Sequence, residues 1–311
     1  MTNHVVLLNT LRNNIVDMSF WGSYYLAKSD SNIISVGKNI DTISFMRSLA
    51  KPIQASIMFD CDIIKDFDIK EEELAIFSAS HAGSEEHVEL LENILKKHNL
   101  KEEDLILKKS EPLDLRNYKG SKRKLYNNCS AKHIMMLLMC QYLGFDKKNY
   151  TSTNHPLQKL IQKKQEELTS YKSDYITYDG CGTPLWGLPI KNIIKGYFNL
   201  LNDKKYEKLF KSILNNSYIF GGYDRFDTEI IDLSNKKLFS KVGAGGFVIV
   251  YNFELNQILL VKMAQNNNFQ RKLVTLNLLN RLGWLNTEIE EFEYNQQNQK
   301  VAKYDYQNFI F

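Results

Sequence analysis

The 311-residue sequence lacks the features that define several protein classes. Four cysteines, Cys61, Cys129, Cys140 and Cys181, are too few and too irregularly spaced for a disulfide framework, and no Cys-x-x-Cys pair is present. They read as reduced thiols. No apolar run approaches the roughly 20 residues needed to span a bilayer, and Met1-Thr2-Asn3-His4 lacks the basic flank of a signal peptide. The expectation is a cytoplasmic protein with no membrane partner. An excess of one charge is also missing: 40 Lys and Arg against 36 Asp and Glu leave +4, spread along the chain, too little to imply a nucleic-acid partner. The basic 119–124 segment reads as a solvated loop. Internal repeats, long linkers and low-complexity tracts are absent, although the Asn/Gln-rich 295–298 segment reads as an exposed turn.

What is present is the composition of a globular protein: 43% hydrophobic and 24% charged residues, in a chain long enough for one large domain or two closely packed ones. Short apolar runs at 5–8, 14–20, 24–28 and 33–36, separated by Asn, Asp, Ser and Gly, predict antiparallel strands. Helical patterns follow at 45–59, 85–98, 131–143, 156–171, 190–201 and 206–214. Ser84 is placed to cap the second of these, and Gly144 to stop the third. Strand patterns return at 238–239, 246–251 and 257–262, with a hairpin connection at 254–257, before a helix over 269–282 that Gly283 ends. Strands, many helices, strands, helix is the order of an α+β fold. Its terminal strands would share one antiparallel sheet, with a mostly helical middle subdomain to one side.

Five segments carry residues suited to chemistry. In Arg47-Ser48-Leu49-Ala50-Lys51-Pro52-Ile53-Gln54-Ala55, Ser48 and Lys51 stand one helical turn apart, so the lysine can reach the hydroxyl. It can take that proton only if burial lowers its pKa. An exposed serine and a solvated lysine would give the same pattern. In Ser78-Ala79-Ser80-His81-Ala82-Gly83-Ser84, a small polar stretch leads into a capped helix, whose start favours an anionic or carbonyl oxygen. Asn127-Asn128-Cys129-Ser130-Ala131-Lys132-His133 is a second polar entry into an apolar helix. Asp179-Gly180-Cys181-Gly182-Thr183-Pro184 offers a carboxylate for a substrate amino group. Cys129 and Cys181 with His133 would suit zinc if they met, although structural thiols are the alternative. Lys241-Val242-Gly243-Ala244-Gly245-Gly246 can bring positive charge and backbone amides to a reacting carbonyl, or simply enter a hairpin.

Taken together and in order, these segments resemble the L-asparaginase II family of bacterial, rhizobial-type asparaginases, whose fold is related to serine β-lactamases and glutaminases. The matching stretches are Arg47-Ser48-x-x-Lys51-Pro52-x-Gln54-Ala55, Ser80-His81-x-Gly83 with His87, Asn127-Asn128-Cys129-Ser130-x-Lys132-His133, Asp179-Gly180-Cys181-Gly182-x-Pro184 with Leu188-Pro189, and Lys241-x-Gly243-Ala244-x-Gly246. The resemblance spans nearly the whole chain. It implies a single catalytic domain over 1–311, with an α/β part from 1–45 and 225–311 and a helical part at about 46–224. It further implies hydrolysis of the side-chain amide of L-asparagine to L-aspartate and ammonia. By resemblance Ser48 is the acyl-forming nucleophile and Lys51 its base, while Ser80 and Lys241 form a second Ser-Lys pair. Arg47, His81, Asn128, Lys132, Asp179, Gly180, Gly243 and Ala244 would line the substrate. Cys129, Lys132 and Cys181 correspond to a site that holds Zn²⁺ in some members, no cofactor being required, and relatives commonly form homodimers. The chain departs from the family pattern at Ala131, where glycine is usual, at Gly245, where an acidic residue is usual, and in lacking an acidic pair after Lys262 and an early histidine near Asp17. Alternative functions are glutamine hydrolysis, another β-lactamase-like or peptidase-like Ser-Lys acyl hydrolase, and a silent amino-acid-binding protein.

Overall fold

In the computed structural model, which describes residues 3–310, the chain opens with β1 (Val5–Arg12) and β2 (Ile15–Ala27). The first two residues of the segment read for a leader lie outside the described residues. Asn13 and Asn14 join the two strands, both with positive φ, the geometry that matches strand twist in a two-residue hairpin. The patterns at 14–20 and 24–28 belong to one continuous strand: Gly22 is no break but a point of close approach, where a Cβ would lie 2.6 Å from Leu7 Cδ1. Then come β3 (Ile33–Val36) and β4 (Ile43–Phe45).

The middle of the chain holds α1 (Ala50–Ala55), α2 (Ile63–Asp66), α3 (Glu71–Phe77), α4 (Glu85–Lys97), α5 (Ser130–Leu143) and α6 (Pro156–Thr169). After β5 (Ile176–Tyr178) and β6 (Pro184–Pro189) follow α7 (Ile190–Asn202), α8 (Glu207–Asn215), α9 (Ser217–Phe220) and α10 (Phe226–Leu233). The helix expected over 45–59 is in fact interrupted. Phe45 ends β4, Arg47 takes a left-handed φ of 53°, and 3₁₀ turns at Arg47–Leu49 and Ser56–Asp60 flank the short α1. Such a φ is sterically disfavoured for a side chain as large as arginine, so an apolar spacing alone could not carry a helix through it. Gly144 and Gly283 do stop their helices in left-handed conformations, and Ser84 caps α4 with its backbone N–H donating to His87 Nδ1 at 3.2 Å.

The chain ends with β7 (Leu238–Gly243), β8 (Phe247–Asn252), β9 (Gln257–Met263), α11 (Asn268–Arg281), β10 (Phe292–Tyr294) and β11 (Lys300–Tyr306). One antiparallel sheet runs in the order β10-β11-β1-β2-β9-β8-β7, with β3 also paired to β2. Strand alternation divides its side chains between two apolar layers. Tyr25, Phe239, Phe247, Ile249 and Leu260 enter the core shared with the helical middle. Their neighbours Tyr24, Leu26, Val248, Val250 and Val261 enter the core under α10 and α11. Both faces are covered, which is why β7 and β8 are buried at every residue and the 247–251 stretch of β8 reads as a continuous apolar run. The middle is not purely helical, since β4, β6 and β5 form a small separate sheet. Strands β10 and β11, which the sequence pattern missed, extend the main sheet beyond β1.

Among the described residues, no helix is long and apolar enough to cross a membrane.

Candidate active site

Three lysines are buried where the helical middle meets the sheet: Lys51 at 0%, Lys132 at 1% and Lys241 at 0% exposure. Burying an ammonium is costly unless its hydrogens are all used, so the partners of each define what it can do.

Lys51, in the first turn of α1, faces Ala79 O at 2.7 Å, Asn128 O at 2.8 Å and Ser80 Oγ at 3.0 Å. No carboxylate is among these partners. Burial lowers its pKa to about 8, with nearby Cys129 opposing and Lys241 and Lys132 reinforcing the shift. A neutral amine has two N–H donors and one lone pair. The two carbonyls can take the donors, which leaves the lone pair directed at the Ser80 hydroxyl.

Lys241 projects from the middle of β7 and donates to Ser80 Oγ at 3.1 Å from another side, with Asp227 Oδ2 3.0 Å away. Both lysines therefore converge on one serine, which lies in the loop after α3 at 4% exposure. The neighbouring His81 is fully buried; its Nε2 lies 2.9 Å from Ser130 Oγ, whose proton goes to Leu125 O at 3.0 Å. Nε2 must then be the donor, and burial, which drives the His81 pKa well below the usual range, favours the neutral ring. It ties the Ser80 loop to α5.

Among the described residues, no hydrogen bond joins Lys51 to Ser48, the partner expected for it. Ser48 sits in the one-turn 3₁₀ segment ahead of α1, half-buried, and no described residue offers its hydroxyl a hydrogen bond. The turn is held from two sides: Tyr197 donates to Leu49 O at 2.6 Å, and Gly243 packs so closely that a Cβ there would lie 3.0 Å from Met46 O. Gly243 thus brings the end of β7 against the Ser48 turn, and Ala244 follows it at the surface.

A second cluster adjoins the first. Cys129 precedes α5, while Asp179 and Cys181 lie in the tight β5–β6 connection, and ligand atoms of these three lie within 4.8 Å of one another. Lys132 donates to Cys181 Sγ at 3.1 Å and to Thr183 Oγ1 at 2.9 Å. The neighbouring Cys129 and the Lys132 charge hold the Cys181 thiol far below its ordinary range, against the effect of burial. Cys129, buried beside Cys181, is correspondingly raised. Burial works against the Lys132 charge, but Cys181, Cys129 and Asp179 together outweigh it and raise its pKa. Two sulfurs and a carboxylate suit a zinc-type ion. Of the residues expected to bind it, Cys129 and Cys181 meet, Asp179 joins them, and Lys132 stands beside the group as a charged donor with no lone pair to give. His133 gives Nδ1 to Tyr150, 2.7 Å from the phenol oxygen, while its buried Nε2 has no hydrogen-bond partner among the described residues and the ring stands near enough to Cys181 for each to act on the other's protonation.

At the rim, Arg47 Nε donates to Asp179 Oδ1 at 2.6 Å, with the arginine side chain 37% and the aspartate 9% exposed. The exposed Gly180 donates its N–H to the same oxygen at 2.9 Å, and the half-buried Asn128 contributes its carbonyl to Lys51.

Residues the sequence reading passed over include Asp227, Thr183 and Tyr197. Thr183 lay inside a motif already quoted; Asp227 and Tyr197 stand in ordinary helical patterns that no spacing rule distinguishes.

No curated protein matches this chain. Among solved structures, a candidate β-lactamase from Bacteroides dorei DSM 17855 is 11% identical, with 79% of this chain and 86% of that one covered at a TM-score of 0.45. A β-lactamase from Mycobacterium bovis is 11% identical, with 84% and 94% covered at a TM-score of 0.42. The L-asparaginase II family, by contrast, matches from residue 8 to residue 307, through β1, every segment of both clusters and β11. With the match running almost end to end, the chain belongs to the L-asparaginase II family.

Proposed function

We propose that the protein is an amidohydrolase that converts L-asparagine to L-aspartate and ammonia by Ser-Lys catalysis. The observation that carries this reading is the convergence of Lys51 and Lys241 on the Ser80 hydroxyl in a buried site. Neutral Lys51 takes the Ser80 proton as the serine oxygen bonds to the amide carbon. The C–N bond then breaks, the amide nitrogen leaves as ammonia with a proton returned by a lysine, and water cleaves the resulting ester to give the free acid. The Lys241 ammonium supplies positive charge at the serine throughout.

The resemblance gives the acyl bond to Ser48 instead. In that route Lys51 takes the proton of Ser48 rather than of Ser80, so the two routes differ both in which hydroxyl is activated and in which oxygen bonds the acyl carbon. Mass-spectrometric mapping of a trapped acyl-serine, with Ser48→Ala and Ser80→Ala proteins alongside, separates them.

Arg47 and Asp179 present opposite charges at the rim, the complement of an amino acid's carboxylate and ammonium. A Zn²⁺ ion, if bound by Cys129, Cys181 and Asp179, would fasten the start of α5 to the β5–β6 connection and add positive charge beside the substrate. The accompanying expectations of a cytoplasmic homodimer, without nucleic-acid or membrane partners, stand as part of this proposal, and the molar mass in solution checks the dimer.

Ammonia release from asparagine and from glutamine tests the function. Turnover of asparagine ahead of glutamine is the expected result; the reverse order makes the protein a glutaminase. No turnover of either overturns the proposal.

A further inference from the structure

Asp227 belongs to none of the motifs that carry the family resemblance. It lies in the first turn of α10, which packs along β7, the strand that ends the main sheet. Its side chain is 3% exposed, and both oxygens are used: Oδ1 accepts from Ser240 Oγ at 3.1 Å and Oδ2 from Lys241 Nζ at 3.0 Å. The carboxylate therefore grips two consecutive strand residues whose side chains leave β7 on opposite faces.

The groups around Lys241 are the Asp227 carboxylate from α10, the Ser80 hydroxyl from the loop after α3, and the Phe220 ring of α9, whose centre is 4.7 Å from Nζ. Arg225, ahead of α10, and Cys129, before α5, act at longer range in opposite senses. A carboxylate and an aromatic face both favour an ammonium over an amine. Lys51 has neither; its three acceptors are two carbonyls and a hydroxyl. Burial lowers the pKa of both lysines, but Asp227 opposes that shift at Lys241 alone.

We propose that Asp227 is a positioning residue for amide hydrolysis: acting through Lys241, it keeps that ammonium charged and aimed at Ser80, so that the two lysines sharing one hydroxyl have different tasks. Lys51 takes the proton and Lys241 remains the cation. The inference rests on the amidohydrolase reading and assigns a division of labour within it.

The test is a double-mutant cycle on the full chain with Asp227→Asn, Lys241→Met and the pair combined. Asp227→Asn should lower kcat for asparagine by about 10²-fold while KM moves less than about threefold, and should shift the alkaline limb of the kcat profile to lower pH. In the Lys241→Met background the same change should cost nothing further. An unchanged kcat, or an equal loss with and without Lys241, overturns the proposal. Should Asp227→Asn alone fail to fold, melting temperatures decide: Lys241→Met leaves the buried Asp227 carboxylate without its ion-pair partner, held only by the Ser240 hydroxyl and the more distant Arg271, so adding Asp227→Asn should raise its melting temperature, and a further drop refutes the coupling. If the wild-type protein releases no ammonia from either amide, the substrate reading fails separately. The cycle is then read from acylation by p-nitrophenyl acetate, where Asp227→Asn must slow acylation only when Lys241 is present; slowing in both backgrounds, or in neither, refutes it.

Discussion

In the proposed reaction Ser80 is the residue on which the chemistry turns, because a hydroxyl is a poor nucleophile until something takes its proton. Lys51 can do so at mild pH only because burial has lowered its pKa to about 8. The sign of the pH dependence follows: below that value the lysine holds its proton and cannot act as base, so kcat should rise as pH increases through about 8. A steady-state profile on asparagine checks it, and a flat profile from pH about 6 to about 9 contradicts it. Replacing Ser80 by Ala or Lys51 by Met should cut kcat by about 10²- to 10⁴-fold with the fold intact, as read by circular dichroism. Lys51→Met is the informative exchange, since it keeps the volume of the buried stem while removing the nitrogen.

Elements matter here as brackets for those residues. The Ser48 turn has no long helix to fix it; Arg47 is in a left-handed conformation and α1 is only six residues long. It depends on α7, through Tyr197, and on β7, through Gly243. Tyr197→Phe removes one buried hydrogen bond and leaves Leu49 O without that donor, a loss of about 1–3 kcal/mol that urea denaturation would measure. If Ser48 takes part in catalysis, activity should fall by more than the small fraction unfolded explains. The β5–β6 connection is the other bracket. Cys181→Ser should abolish stoichiometric metal uptake if Cys129, Asp179 and Cys181 bind zinc, measured by elemental analysis of protein incubated with the ion. Retained uptake places any metal elsewhere.

For the molecule as a whole, the site exists only where distant stretches of chain meet. Lys51 is hydrogen-bonded to Ser80 and Asn128, and Ser80 to Lys241, across 161 positions of sequence. The same helices and sheet that hold these groups bury the larger of the two apolar cores. Loss of the helical layer should therefore abolish activity and tertiary structure together: thermal inactivation and the near-ultraviolet dichroism transition should share one midpoint. Activity lost well below that midpoint would mean that the site opens locally before the core does.

The sequence alone determined the broad succession of strands, helices, strands and helix, because apolar periodicity and turn residues are local properties: the caps at Ser84, Gly144 and Gly283 and the β8–β9 hairpin all fall where the residues place them, although β10, β11 and the small middle sheet escaped it. It also supplied the family, since five ordered motifs survive as residues whatever their conformation. The tertiary structure decided what spacing cannot express. Residues 45–59 have helical spacing, yet a left-handed Arg47 and the close approach of Gly243 to Met46 break that segment into a turn. Ser48 and Lys51 are one turn apart in sequence, but Lys51 finds Ala79, Ser80 and Asn128 instead, because a buried amine is drawn to acceptors that packing from other segments delivers. Asp227 left no mark in the sequence for the same reason. One carboxylate early in a helix becomes the partner of the buried Lys241 only when α10 is laid along β7.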